Sequence, residues 1–160
     1  MAYTHKFGLK YSILRYFNCY GPRQENNFVI PNFIHNVKNN KSPLIFGTGN
    51  QLRSYTFVSD TAKATSECLI NKKSDNKTLN IGNGKDPINL IDLAELVISS
   101  SDKNKKLKTK IINNFNGADR NKNREIYFRY CDSTLAQNLL KWKPKIKIKE
   151  GIKILINERN

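Results

Sequence analysis

Apolar residues recur along this chain in two rhythms. Short β-branched or aromatic runs at 11–17, 43–46, 54–58 and 78–81 read as strands, each bounded by glycine, proline or a polar turn. Between them the apolar spacing turns helical. Ile30, Phe33, Ile34 and Val37 fall at i, i+3, i+4 and i+7 with Pro31 in the first turn, which predicts an amphipathic helix opened by a proline. Ser59 or Asp60 is expected to cap a helix reaching about Ile70. Asn89 is expected to cap another, with Asp92 near its positive end and Leu90, Leu93, Ala94 and Val97 on one face. A strand is predicted around 108–112 and an extended stretch over 125–130. Asp132 or Ser133 then caps a short helix through Leu140, and the tail beyond Pro144 ends in a helix carrying Ile152, Leu155 and Ile156 on one side.

The pattern is mixed α/β, but strands and helices do not alternate regularly enough for a complete doubly wound domain. With 160 residues and no internal repeat or linker, the chain fits one compact domain or part of a larger one. No window approaches the roughly 18 apolar residues of a membrane span, and the N-terminus shows no signal-peptide pattern. Cys19, Cys68 and Cys131 are odd in number, far apart and form no CxxC, which excludes a zinc ribbon and fits a reducing compartment; a cytoplasmic location is expected. The formal charge of +15 admits a polyanion partner. The basic residues are nevertheless spread along the whole chain without RNP-like aromatics or zinc-finger spacing. Solvating lysines are therefore favoured over nucleic-acid binding.

General catalytic patterns are sparse. His5 and His35 stand in no metal-ligand or triad context, no carboxylate pair has a suggestive spacing, and neither GxGxxG nor GxxxxGK occurs. Gly47-Thr-Gly and Gly82-Asn-Gly read as turns. On these residues alone the chain is a basic α/β domain with no catalytic residue and no metal ligands to assign.

The stretch LRYFNCYGPRQ at 14–24 changes that reading. It resembles the segment that follows the catalytic helix in the extended short-chain dehydrogenase/reductase family of NAD(P)-dependent nucleotide-sugar epimerases and dehydratases. Further resemblances follow in that family's order. They are Val29-Ile-Pro-Asn-Phe at the substrate-domain helix entry, residues 43–60 against PxxxGxGxQxRxxxxVxD, and residues 79–94 against YNIGxG with a following xSxxELA. Leu139-Leu-Lys-Trp-Lys-Pro with Glu150-Gly matches LGWxPxxxxxEG. Each motif is weak, but five in sequence span nearly the whole chain.

The resemblance implies the C-terminal portion of an extended Rossmann-type fold, its last sheet strands plus a small α/β substrate-binding domain, as a single partial unit over 1–160. It implies that Tyr16 and Pro22 lie by the nicotinamide of NAD or NADP and that the Asn18 amide bonds the nucleotide-sugar. Ligands of open α/β sheets gather beyond the carboxyl ends of the strands, where residues 16–18 are expected. The residues themselves leave Tyr16 and Phe17 equally readable as core aromatics. Leu44 to Phe46 would offer backbone groups to the base. Arg53, just after a glycine turn, would hold the diphosphate through paired guanidinium donors. Asp60 reads as a helix cap rather than a catalyst. Relatives place a second phosphate-binding arginine in an RxGD-type sequence; residues 116–124 depart from it, and Arg120 or Arg124 is the expected substitute.

Two family elements have no counterpart in these residues: the glycine-rich dinucleotide turn and the Tyr-x-x-x-Lys pair, since Tyr3 and Lys6 are wrongly spaced. The expected function is therefore the substrate-binding part of an epimerase or dehydratase that oxidises and reduces sugar C4, inactive as this chain alone. A UDP- or dTDP-linked sugar is the expected ligand, and an N-terminal half or a second copy the expected partner. The alternative is a non-catalytic basic module for nucleotide-sugars or another polyanion. In either case the strand bearing LRYFN would present an open edge and apolar surface, so a poorly stable or self-associating chain is expected.

Overall fold

The computed structural model describes residues 2–101, 106–114 and 125–158. Its strands pair two by two, and every pair is parallel. They are β1 (Ser12–Tyr16) with β6 (Lys77–Ile81), β2 (Cys19–Tyr20) with β5 (Thr56–Phe57), β3 (Leu44–Phe46) with β7 (Lys110–Ile112), and β4 (Leu52–Arg53) with β8 (Phe128–Arg129). Parallel pairing requires long crossovers. These carry the helices α2 (Val29–Lys38), α3 (Val58–Ile70) and α4 (Leu90–Ser100), while α5 (Thr134–Leu140) and α6 (Ile148–Asn157) follow the last strand.

Two apolar cores result. In the first, Ile30, Phe33 and Val37 of α2 meet Leu93, Ala94 and Val97 of α4 and Ile152 and Leu155 of α6, over Ile45 of β3. The helical spacing seen in the sequence thus maps directly onto the buried faces. Tyr20 stands edge-on to Phe57 (centroids 5.3 Å apart, planes at 79°) and to Tyr55 (6.3 Å, 88°). Such pairs add about 0.5–1.5 kcal/mol beyond area burial. In the second core, Leu79 and Ile81 of β6 pack with Ala64 and Cys68 of α3, Ala136 and Leu140 of α5, and Trp142.

The second core is covered on one side only. A short helix α1 (Ala2–Phe7) buries none of its residues, and β1 pairs with β6 alone among the described strands. Tyr3, Phe7, Leu9, Ile13 and Tyr16 are all exposed as a consequence.

Long-range ties join the sequence motifs. The Asp60 carboxylate accepts from the backbone N–H groups of Lys145 and Ile146, both at 2.9 Å, and its carbonyl accepts from Trp142 Nε1 at 3.0 Å. Asp60 is therefore no cap: α3 begins at Val58 behind Phe57, with no side-chain cap, because the C-terminal segment claims the carboxylate instead. Asn89 does cap α4, its Oδ1 accepting from Asp92 N at 2.8 Å. At the start of α5 the Thr134 side chain, and then its backbone N–H at 2.9 Å, hydrogen-bond to the Asp132 carboxylate and hold it below the usual range.

The expected strand over 54–58 shrinks to Thr56–Phe57, since Ser54 serves side chains rather than a ladder: its carbonyl accepts from Asn18 and its Oγ from Cys131 N. At Gly151 of α6 a Cβ would overlap the Tyr20 hydroxyl and crowd Phe57. The first and last motifs of the chain thus meet at a site that only glycine fits.

Candidate functional site

The first core opens into a cavity of about 740 Å³. Phe28, Ile30 and Phe33 from the start of α2 and Leu44 and Phe46 of β3 give it apolar lining, and Asn18, Asn32, Gln51, Arg53 and Arg129 give it polar and cationic lining. Apolar lining with a few convergent polar groups is the usual build of a small-molecule site. Gly47 and Gly49 make the turn below it with φ of 80° and 76°, a left-handed conformation that side-chain-bearing residues rarely adopt. That turn feeds β4 and so places Arg53.

Arg53 is held firmly. Its guanidinium donates to Glu125 at 2.9 Å and to the Leu52 carbonyl at 2.8 Å, and both members of the ion pair are buried. The backbone of Arg53 forms a two-way antiparallel bridge with Ile88. Burial lowers the Arg53 pKa from its ordinary value, the neighbouring charge of Arg129 lowers it further, and Glu125 opposes both. Asn18 sits in the left-handed region at φ 38°, which asparagine tolerates. Its Nδ2 donates to the Ser54 carbonyl at 2.8 Å, and its own carbonyl accepts from Thr56 N. This pins the end of the β1–β2 segment against the β4–β5 segment.

Of the residues singled out in the sequence, Asn18, Leu44, Phe46 and Arg53 come together around this cavity. Tyr16 and Pro22 are not in its wall. Tyr16 is half-exposed at the carboxyl end of β1, its hydroxyl 3.0 Å from Thr65 Oγ1 of α3. Pro22 lies half-buried in the turn beyond β2. Arg120 and Arg124 lie outside the described residues. Sequence reasoning passed over Gln51, Glu125 and Arg129. Glu125 and Arg129 come 72 and 76 residues after Arg53 and join it only through the β4–β8 pairing, which left no local signal. Gln51 was visible as the Q of the GxGxQxR block.

Cys131 is buried beside Gly84, where any Cβ would overlap the Cys131 carbonyl. Burial, then the charge of Asp132, pushes its thiol up to about 11, so it is a packing residue rather than a nucleophile. No described helix is long and apolar enough to cross a membrane.

Comparison with known proteins matches residues 1–155 to the family described as GDP-mannose 4,6 dehydratase. The chain is 38% identical over 163 residues to a putative UDP-glucose 4-epimerase of Methanocaldococcus jannaschii, covering 97% of this chain and 47% of that protein. It is 35% identical over 159 residues to a UDP-glucuronate 4-epimerase of Thermodesulfobacterium geofontis, covering 98% and 45%. Its fold superposes on a crystal structure of the UDP-glucuronic acid 4-epimerase of Bacillus cereus in complex with UDP-glucuronic acid and NAD, at TM-score 0.77 and 27% identity, over 98% of this chain and 47% of that one. The chain thus spans about half the length of the curated relatives it matches.

Proposed function

The chain belongs to the GDP-mannose 4,6 dehydratase family of extended short-chain dehydrogenase/reductases, and on that premise we propose that it forms the nucleotide-sugar-binding part of an NAD(P)-dependent epimerase or dehydratase. The observation that supports this most is the convergence of Asn18, Leu44, Phe46 and Arg53 on one cavity with both apolar and cationic lining. A nucleotide base is flat and largely apolar on its faces, so it suits the side of Phe46 and Phe33. A diphosphate suits the Arg53 side, where the guanidinium already donates to Glu125 and to the carbonyls of Leu52 and Tyr127 and brings its charge to the wall. The sugar then points toward the carboxyl ends of β1 and β6, where open α/β sheets bind their ligands.

NAD would supply the hydride acceptor and donor for oxidation and reduction at sugar C4. The described residues fit only its nicotinamide end: Tyr16 presents a half-exposed ring at the strand end, and Pro22 can wall one face. A glycine turn opening a helix, which would take the pyrophosphate, does not occur among the described residues. The tyrosine–lysine pair that moves the sugar hydroxyl proton is likewise missing from the sequence. We assign both to polypeptide beyond these 160 residues, and we take the exposed face of α1 and β1 as the surface on which it packs. The chain alone then binds nucleotide-sugar without turning it over.

Calorimetry tests this with UDP-glucose, dTDP-glucose and a duplex oligonucleotide as titrants. Heat with a nucleotide-sugar, weakened by Asn18→Ala, is the expected result. Heat with the oligonucleotide alone would replace this reading by that of a basic polyanion module.

A further inference from the structure

From the end of α5 into α6, lysines stand at alternate positions: Lys141, Lys143, Lys145, Lys147 and Lys149, with Lys153 one helical turn further on. All six are exposed, while the residues between them turn inward. Trp142 is buried in the second core, and half-buried Ile146 and Ile148 pack against the first. Asp60 fixes the segment from beneath, its carboxylate taking the N–H groups of Lys145 and Ile146 and its carbonyl that of Trp142 Nε1. The lysines are therefore displayed on a fixed ridge rather than on a loose tail.

Little balances their charge. Glu150 is the single acidic residue from 141 to 153, and the ion pairs among the described residues, Arg53 with Glu125 and Lys63 with Glu67, involve none of the six. The row does not serve the fold either. Lys147 and Lys149 stand at the start of α6, which has no side-chain cap, and cations are disfavoured at that end of a helix. Like charges held side by side at a cost to local stability point to an anionic surface outside the molecule.

The make-up of the ridge selects among anionic partners. It has no arginine for paired recognition of single phosphates, and its one aromatic ring is buried with its N–H engaged, so no base can stack on it. Lysine is also depleted from protein–protein interfaces. A cluster of about four to eight lysine point charges is instead what a bilayer with anionic headgroups attracts. We propose that the ridge over 141–153 docks this chain peripherally on an anionic lipid surface. The assignment stands apart from the nucleotide-sugar reading, since none of the six lysines lines the cavity.

Vesicle flotation tests it, because self-associated protein sediments while vesicles rise. The wild-type chain floats with phosphatidylcholine vesicles carrying about 30% phosphatidylserine, stays behind with plain phosphatidylcholine, and is released at about 0.5 M salt. Lys143→Gln with Lys147→Gln lowers the partition about twentyfold, at roughly fivefold per lysine, without lowering the melting temperature. Lys108→Gln with Lys110→Gln, on exposed lysines of β7 outside the row, changes the net charge equally but the partition by about twofold or less. A wild-type chain that does not float with the anionic vesicles, or floats equally with plain ones, overturns the proposal. Equal losses in the two double variants assign the attraction to overall charge and overturn it too. A duplex oligonucleotide bound more tightly than the anionic vesicles, and weakened by Lys143→Gln with Lys147→Gln, makes nucleic acid the partner and ends the lipid assignment.

Discussion

The two cores of this protein are built from similar elements but finished differently. Around the cavity, three helices close over β3 and the Tyr20 aromatic cluster. Around β6, α3, α5 and Trp142 cover one face, and on the other β1 leaves Ile13 exposed, beside an α1 that buries nothing. The first region buries its apolar helix faces internally and keeps a concavity. The second leaves a strand edge and an apolar face, the features that invite association with further polypeptide. On the reading proposed above, the first region would surround a nucleotide-sugar and the second would meet further polypeptide.

The largest effects should come from the interior of each region. Arg53→Ala removes the guanidinium partner of buried Glu125 and is expected to cost about 3–5 kcal/mol, whereas the double change Arg53→Met with Glu125→Met recovers most of that loss. Trp142→Ala empties the centre of the second core and loses the bond to Asp60, again about 3–5 kcal/mol. Urea unfolding measures both. Equal losses show both regions to be cooperative parts of one fold, and a much smaller loss at Trp142 would mark the β6 region as loosely packed. Next comes Gly151→Ala, which forces a methyl group against Tyr20 and Phe57 at an expected cost of about 1–3 kcal/mol, read as a lowered urea midpoint.

A pH effect follows from the same interior. The Cys131 thiol is raised from its ordinary value of 9.0 to about 11 by burial, so the folded chain holds this proton more tightly than the unfolded one. Its contribution to stability is full below about pH 9 and is lost as pH rises through about 11. Tyr20 is raised as well, first by burial and then by Asp60 and Glu150, and adds to the loss above pH 10. Urea midpoints at pH 8, 9, 10 and 11 should fall in that order, with a shallower early fall in Cys131→Ala.

The smallest change in stability is expected where the two regions differ most. Ile13→Lys on the open face should alter the melt of the lone chain by about 0.5 kcal/mol or less, as exposed substitutions do. Sedimentation should show self-association of the wild-type chain reduced by the same substitution. A wild-type chain that remains monomeric at high concentration, with this face exposed, would end its comparison with an interface.

Much of this was legible before any coordinates. The buried faces of α2, α4 and α6 follow from apolar spacing, the Asn89 cap from residue type, and the Gly47 and Gly49 turn from the glycines themselves. Each depends on residues a few positions apart. Asp60 illustrates the limit: its place near a helix start suggests a cap, but two backbone donors some 85 residues onward take its carboxylate. The Ser54 segment is similar, since contacts with Asn18 and Cys131 shorten the strand that its composition favours.

Residue order alone carried the kinship, the α/β class and the set Asn18, Leu44, Phe46 and Arg53, because motif chemistry and helical periodicity are local properties of a chain. Folding in three dimensions settled the rest. It separated Tyr16 and Pro22 from the cavity, matched Arg53 with Arg129, set Glu125 against the guanidinium, and left the Gln51 amide nitrogen buried with no partner among the described residues. These relations depend on strand register and on burial, and both arise only when segments far apart in sequence exclude water from the same place.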